Sequence, residues 1–225
     1  MREGGRLEDW IIVSVRQQKK DKKRYEIYIG EEEPVLTVHE DILIRYRLMK
    51  GGVLQEALIA EIKREDERFE AYRKALSYLG AKPRTRKQLH QYLERKELAI
   101  EHIEFALDRL EREGLVDDVQ YAQQFAETRM RNSLKGRLMI RQELGVRGVS
   151  KSAASEAVSA ISDEEELAAA KKLAEKKARS LKGDEAERRR KLMGFLLRRG
   201  FPGHVVKEAL KSVKLGDDEE WEEDI

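Results

Sequence analysis

Residues 107–125, LDRLEREGLVDDVQYAQQF, close one apolar-periodic helix on Gly114 and open another that carries Tyr121, Ala122 and Phe125 on one face. Glycine just past a helix tolerates the left-handed backbone that ends it, and Asp at the next start accepts bonds from orphan N–H groups. The stretch reads as a joint, with Gly114 and Asp118 as caps and Leu110 and Leu115 as packing residues. What it joins recurs. Leu98, Val149 and Phe201 each follow a helix-ending pair, Lys96-Glu97, Arg147-Gly148 and Arg199-Gly200. Nine residues before them stand Leu89, Ile140 and Leu192; five before, Leu93, Leu144 and Leu196; nine after, Leu107, Val158 and Leu210. Further back Ala71, Ala122 and Ala174 match, as do Ala75, Ala126 and Ala178, at a period of 51 to 52 residues. Columns held in one register over this length mark an internal repeat.

Each repeat reads as long helix, loop, helix, short turn, helix. Small residues on every first helix let the other two pack close. The expected organisation is mainly α, with three tandem three-helix repeats at 67–117, 118–162 and 163–214 stacked into an elongated, curved body. Before them, 1–52 reads as a small β-rich module: a hairpin from 10–15 and 25–29, a third strand at 34–38 and a short helix at 39–46. Residues 53–66 read as a linking helix with a break near 64–66. Capping residues are expected at Thr85 with Gln88, at Asp118, at Ser162 with Glu165, and at Asp184 with Glu187; Pro202 fits the first turn of the last helix.

The chain has 225 residues, no cysteine and a net charge of +2. That small sum hides an asymmetry. Residues 216–225 hold seven acids and no base, and without them 46 basic residues face 37 acidic ones, a balance of +9. A basic body implies a polyanionic partner. The repeat carries its bases in register too: Arg86, Arg137 and Arg189 stand twelve residues before the aligned position. Arg84 and Lys87 thicken the first group, Arg131, Lys135 and Arg141 the second, and Arg188, Arg190, Lys191 and Arg198 the third. Like-placed groups in a stacked array form a stripe suited to a phosphate backbone, and no stacking aromatics interleave to read bases. Residues 215–225 read as an acidic disordered, solubilising tail; a sharper reading has it occupy that stripe in cis and compete with nucleic acid, with Trp221 as an anchor.

Catalytic patterns are missing. The four histidines stand alone, and no phosphate-cradling glycine loop, G-x-S-x-G elbow or H-E-x-x-H is present. Neither catalytic, cofactor-binding nor metal-ligating residues are expected, so the reading is of a non-enzyme without cofactor. No apolar run approaches the roughly 20 residues a bilayer span needs. A cytoplasmic protein without membrane contact is the expectation.

The segments ALSYL…PRTRKQL (75–89), GLVDD (114–118), KGRLMIRQEL (135–144) and RRGFPGHVVKEAL (198–210) resemble the bacterial RecX regulators of the RecA recombinase. The N-terminal strands and HEDILIRYRLMKGG resemble the extension of Gram-positive members. The resemblance implies a three-repeat, non-enzymatic modulator that binds the RecA filament and also contacts DNA; a monomer that takes single- and double-stranded DNA without sequence preference is the expectation beside it. The resemblance further implies restraint of strand exchange, ATP hydrolysis and co-protease activity. Carried onto this chain, the contacts would be the groups around Arg86, Arg137 and Arg189. A second reading, a helix-turn-helix DNA-binding transcription regulator built on 85–115, accounts for one repeat only. It would also place Glu101, Glu104, Asp108, Glu111 and Glu113 on its recognition helix.

Overall fold

The computed structural model describes residues 9–213, so the acidic stretch 216–225 lies outside the described part. Two compact units separate. The first runs up to Lys82 and includes Leu89–Leu115; the second comprises Pro83–Gln88 and the chain from Val116 onward.

The first unit begins with β1 (Asp9–Ile11), β2 (Ser14–Gln17), β3 (Arg24–Tyr28) and β4 (Leu36–His39), then α1 (Glu40–Arg45), β5 (Val53–Gln55) and α2 (Glu56–Leu79). β2, β3 and β4 form an antiparallel meander with Val15 opposite Ile27 and Tyr25 opposite Val38. The run 10–15 is not the single strand its composition suggested. It divides at Ile12, which is buried and exchanges backbone bonds with Gly51 and Gly52, so that β1 pairs instead with β5. Residues 53–55 are accordingly strand rather than the start of a helix: Gly51 turns the chain at φ 83°, and Val53 lies opposite Ile11.

The expected break at 64–66 does not occur either. Asp66 sits buried on the inner face of α2, where its carboxylate accepts from the His39 backbone N–H at 2.7 Å and the Arg24 guanidinium at 2.6 Å. An acid within an apolar stripe looks like an interruption; here it fastens the helix to the end of β4.

The repeats follow as α3 (Arg86–Glu94), α4 (Ile100–Arg112), α5 (Asp118–Ser133), α6 (Arg137–Val146), α7 (Lys151–Ser159), α8 (Asp163–Ala178), α9 (Glu185–Arg198) and α10 (Gly203–Lys211). The alanine columns are buried throughout, at the faces where α2 meets α4, α5 meets α7 and α8 meets α10. The leucine and isoleucine columns of the second helices, from Leu89 to Leu196, have no exposed surface. At the joint the structure shifts two roles by one residue. Val116 is buried while Leu115 is 49% exposed, so Val116 is the packing residue. Asp117 caps α5, accepting from Val119 and Gln120 N–H at 2.8 and 2.9 Å, which frees Asp118. Pro202 likewise lies one position before the last helix, as its N-cap.

The second unit holds its helices through one recurring seat. The turn between the second and third helices of a repeat is closed by a glycine at positive φ, Gly148 at 90° and Gly200 at 87°. The start of the preceding repeat's second helix rests on it. Thr85 Oγ1 donates to the Arg147 carbonyl at 2.7 Å, and in the next repeat Gly136 N–H donates to the Arg199 carbonyl at 2.9 Å. Thr85 and Gly136 are equivalent in the repeat, as are Arg147 and Arg199. Contact is so close that a Cβ on Gly148 would lie 2.4 Å from Lys87 Cβ, and one on Gly200 2.3 Å from the Met139 nitrogen. The first repeat has Glu97 at this place, with φ 59° and an exposed side chain.

A second tie accompanies the seat. The first N–H of α3 donates to Asp118 at 2.9 Å and that of α6 to Glu166 at 2.8 Å, each an acid in the first turn of the following repeat. α9 is capped locally, by Asp184 accepting from Glu187 N–H at 2.7 Å.

Gly200→Ala should destabilise the second unit by about 2–4 kcal/mol, from left-handed strain and overpacking together. Glu97→Gly should be neutral or gain up to about 1 kcal/mol by relieving strain. Urea unfolding of both variants checks the contrast; equal losses would refute the seat. Burial raises the Asp118 carboxyl above its ordinary range. The folded chain therefore holds that proton more readily than the unfolded one, and the cost of the charge appears as pH rises through the raised value. Asp118→Asn, which keeps the acceptor, should gain on the parent chain from acid to neutral pH, whereas Asp118→Ala should lose about 1 kcal/mol of capping.

Candidate nucleic-acid interface

The three in-register arginines do not share one environment. Arg86 and Arg137 are the first residues of α3 and α6, but α9 begins a turn earlier and carries Arg189 in its second turn. Arg137 is committed to structure. Its guanidinium lies 2.7 Å from Asp163 Oδ1 and 3.4 Å from Glu166 Oε2 and donates to the Ile161 carbonyl, and Glu166 itself is fully buried. A desolvated carboxylate needs such a cation, so this group is a tie between two repeats.

Most of the second repeat's bases are likewise engaged. Glu143 takes Lys135 and also Arg129, the latter at 3.1 Å. Arg129 and Arg147 flank the Phe125 ring at 4.9 and 4.5 Å from its centroid. Arg131 faces Glu165 at 3.8 Å, and Lys87 reaches the Val146 carbonyl at 3.3 Å. Arg84, Arg86 and Arg188 are half-buried, whereas Arg141, Arg189, Arg190 and Arg198 are exposed.

The third repeat brings its cations together. α9 sets Arg190, Lys191, Gly194 and Arg198 on one face at helical spacing, and with Lys177 and Leu181 they line a groove of about 420 Å³ floored by Phe195. No acid lines it. Lys191 is steadied at its edge by Glu187 at 2.8 Å, and Lys177 lies 5.7 Å from the Phe195 centroid. Among the described residues, Arg190 and Arg198 make no ion pair or hydrogen bond.

Sequence reasoning named the arginines but missed Lys177 and Phe195, though the repeat contained the signal. The equivalent positions in the second repeat are Phe125 and Glu143, and those of Arg190, Lys191 and Arg198 are Leu138, Met139 and Val146. On the same scaffold a mostly apolar face, with Glu143 its acid and Arg129 its base, has become a basic face with no acid. The first repeat departs differently: Tyr78 and Tyr92 stack with centroids 4.0 Å apart, and Lys96 lies 5.7 Å from the Tyr92 ring. Tyr92 occupies the Phe195 position, so aromatics do accompany the bases.

A second basic recess of about 510 Å³ lies between α5 and α8, with Arg131, Lys172, Lys176 and Arg179 beside Glu175. Among the described residues no cluster of three or more His, Asp or Glu side chains could hold a metal ion, and no helix is long and apolar enough to cross a membrane.

Comparison with known proteins agrees with this architecture. Models of the first, second and third three-helix domains of RecX match residues 71–110, 117–158 and 163–210. The regulatory protein RecX of Oceanobacillus iheyensis is 34% identical over 218 residues, covering 94% of this chain and 80% of that relative. That of Halalkalibacterium halodurans is also 34% identical, over 94% of this chain and 82% of its own. A crystal structure of regulatory protein RecX superposes with a TM-score of 0.72 at 31% identity, over 90% of this chain and 99% of the other. RecX from Lactobacillus salivarius gives 0.61 at 26% identity, over 65% and 96%. With each of its three repeats matched in order, the chain belongs to the RecX family of regulatory proteins.

Proposed function

We propose that this chain regulates the RecA recombinase by binding the RecA filament on DNA, restraining its ATPase, strand-exchange and co-protease activities without catalysing a reaction itself. It acts in this reading as a cytoplasmic monomer and contacts single- and double-stranded DNA without regard to sequence. Family membership and the resemblance of its segments support the regulatory role. The observation that carries the DNA contact is the α8–α9 groove, whose cations converge without a lining acid among the described residues. Of the arginines read from sequence, those around Arg189 then supply the contact, with Arg190, Lys191 and Arg198 foremost. Arg137 serves by holding the repeats together. A transcription regulator reading through α4 is disfavoured because that helix exposes Glu101, Asp108 and Glu111, which a DNA groove repels.

Added in stoichiometric amount, the chain should slow RecA ATP hydrolysis on single-stranded DNA; no effect would remove the proposal. Arg190→Glu with Arg198→Glu should impair that inhibition with helical circular dichroism unchanged. The same pair should flatten the salt dependence of single-strand binding by roughly 1.4 in slope, about 0.7 per contact. Arg137→Glu should instead unfold the second unit more readily, by about 3–5 kcal/mol, since it strands Glu166.

A further inference from the structure

The α8–α9 groove has a complementary segment in its own chain. Residues 216–225, GDDEEWEEDI, carry seven acids around a single aromatic ring, Trp221. The groove offers the converse, four cations around Leu181 and Phe195. The last described helix, α10, packs against both helices that form it. Trp221 lies ten residues beyond Lys211, and an extended chain covers at most about 33 Å over that length. α8 itself is only about 24 Å long, so the tether is of the same scale as the helices that form the groove. The other basic recess fits less well. It includes Glu175 and shares Arg131 and Lys172 with a pocket rimmed by Glu127, Glu156 and Glu165, which would repel the acids beside the tryptophan.

We infer that residues 216–225 dock into the α8–α9 groove of the same chain, their carboxylates on Arg190, Lys191 and Arg198 and the Trp221 ring over Leu181 and Phe195, and so exclude other polyanions. The segment is tethered, so an effective concentration in the millimolar range makes even weak pairing sufficient. Pairing of exposed charges is screened by salt, so docking weakens as ionic strength rises. That the occupant competes with DNA rests on the proposed role of the groove; the docking itself does not.

The test reads Trp221 in the full chain at low salt, isolated by subtracting the emission of a Trp221→Phe variant. Docking predicts blue-shifted emission protected from iodide and acrylamide. Arg190→Glu with Arg198→Glu should abolish both, as should Gly194→Leu, which fills the groove while favouring the helix. Emission typical of a solvated indole in the full chain would overturn the inference. So would a shift abolished only by Arg131→Glu with Lys172→Glu, which would put the segment in the other recess. In a second arm, ending the chain after Lys214 should raise affinity for an oligothymidylate by roughly three- to tenfold at low salt, the two chains converging at high salt. If Trp221 responds to the groove variants but truncation leaves DNA affinity unchanged, docking stands and the groove is not the DNA contact. If the groove variants abolish DNA binding while Trp221 stays solvated, the reverse holds.

Discussion

The second unit depends on a backbone contact that only glycine permits. At Gly148 and again at Gly200 the chain turns at positive φ with another repeat's helix start pressed against it, leaving no space for a Cβ. The contact does two things at once. It ends one helix, and it supplies the carbonyl, Arg147 or Arg199, that fixes where the preceding repeat begins its second helix. Packing of apolar columns alone would hold neighbouring repeats loosely in register, because hydrophobic contact is not directional. A hydrogen bond at a crowded turn is directional, and it recurs with the repeat.

This seat accounts for a departure that sequence alone left unexplained. Lys96-Glu97 stands where the later repeats carry Arg-Gly, and the first repeat is the one with no repeat before it to be seated. Its turn keeps the left-handed backbone at Glu97 but has no steric reason to exclude a side chain. The opposite end of the array obeys the same logic. α3 and α6 have their first N–H groups claimed by acids from the repeat that follows, and α9 closes its own with Asp184. α9 can therefore start a turn earlier, and the face below that turn carries Arg190, Lys191 and Arg198. In the second repeat Arg137 is neutralised in holding the third, and Arg129 and Lys135 by Glu143 of their own repeat; in the third repeat Arg190 and Arg198 have no such partner among the described residues.

The distinction marks the boundary of what could be read from sequence. Apolar and alanine columns were legible because burial imposes a residue class at a fixed spacing, and the Thr85–Gln88 capping box was legible because it is local. Arg137 was not, since nothing near it in sequence reveals that Glu166 lies buried 29 residues later and needs a cation. Asp66 misled for the same reason, its partners lying on β3 and β4. The split of the strand at Ile12 and the choice of Asp117 over Asp118 as cap are one-residue decisions made by tertiary partners. Column reasoning did contain the groove, but only when columns are compared for change of character and not for likeness.

That comparison bears on how one scaffold serves different ends. The positions of Phe125 and Glu143 in the second repeat become Lys177 and Phe195 in the third, so aromatic and charge trade places across the same pair of helices. In the second repeat the ring is flanked by Arg129 and Arg147, and Glu143 draws in Arg129 and Lys135. In the third the ring becomes the floor, and of the surrounding bases Lys191 alone is held by an acid, Glu187 at the groove's edge. Neither change touches the buried columns or the glycine seat: Phe125 and Lys177 lie on the first helices, Glu143 and Phe195 on the second, and none of the four is a column or seat residue. The repeat therefore separates the residues that decide its fold from those that decide its charge. A regulator built this way can acquire a polyanion-binding face in one repeat without disturbing the contacts that order the others.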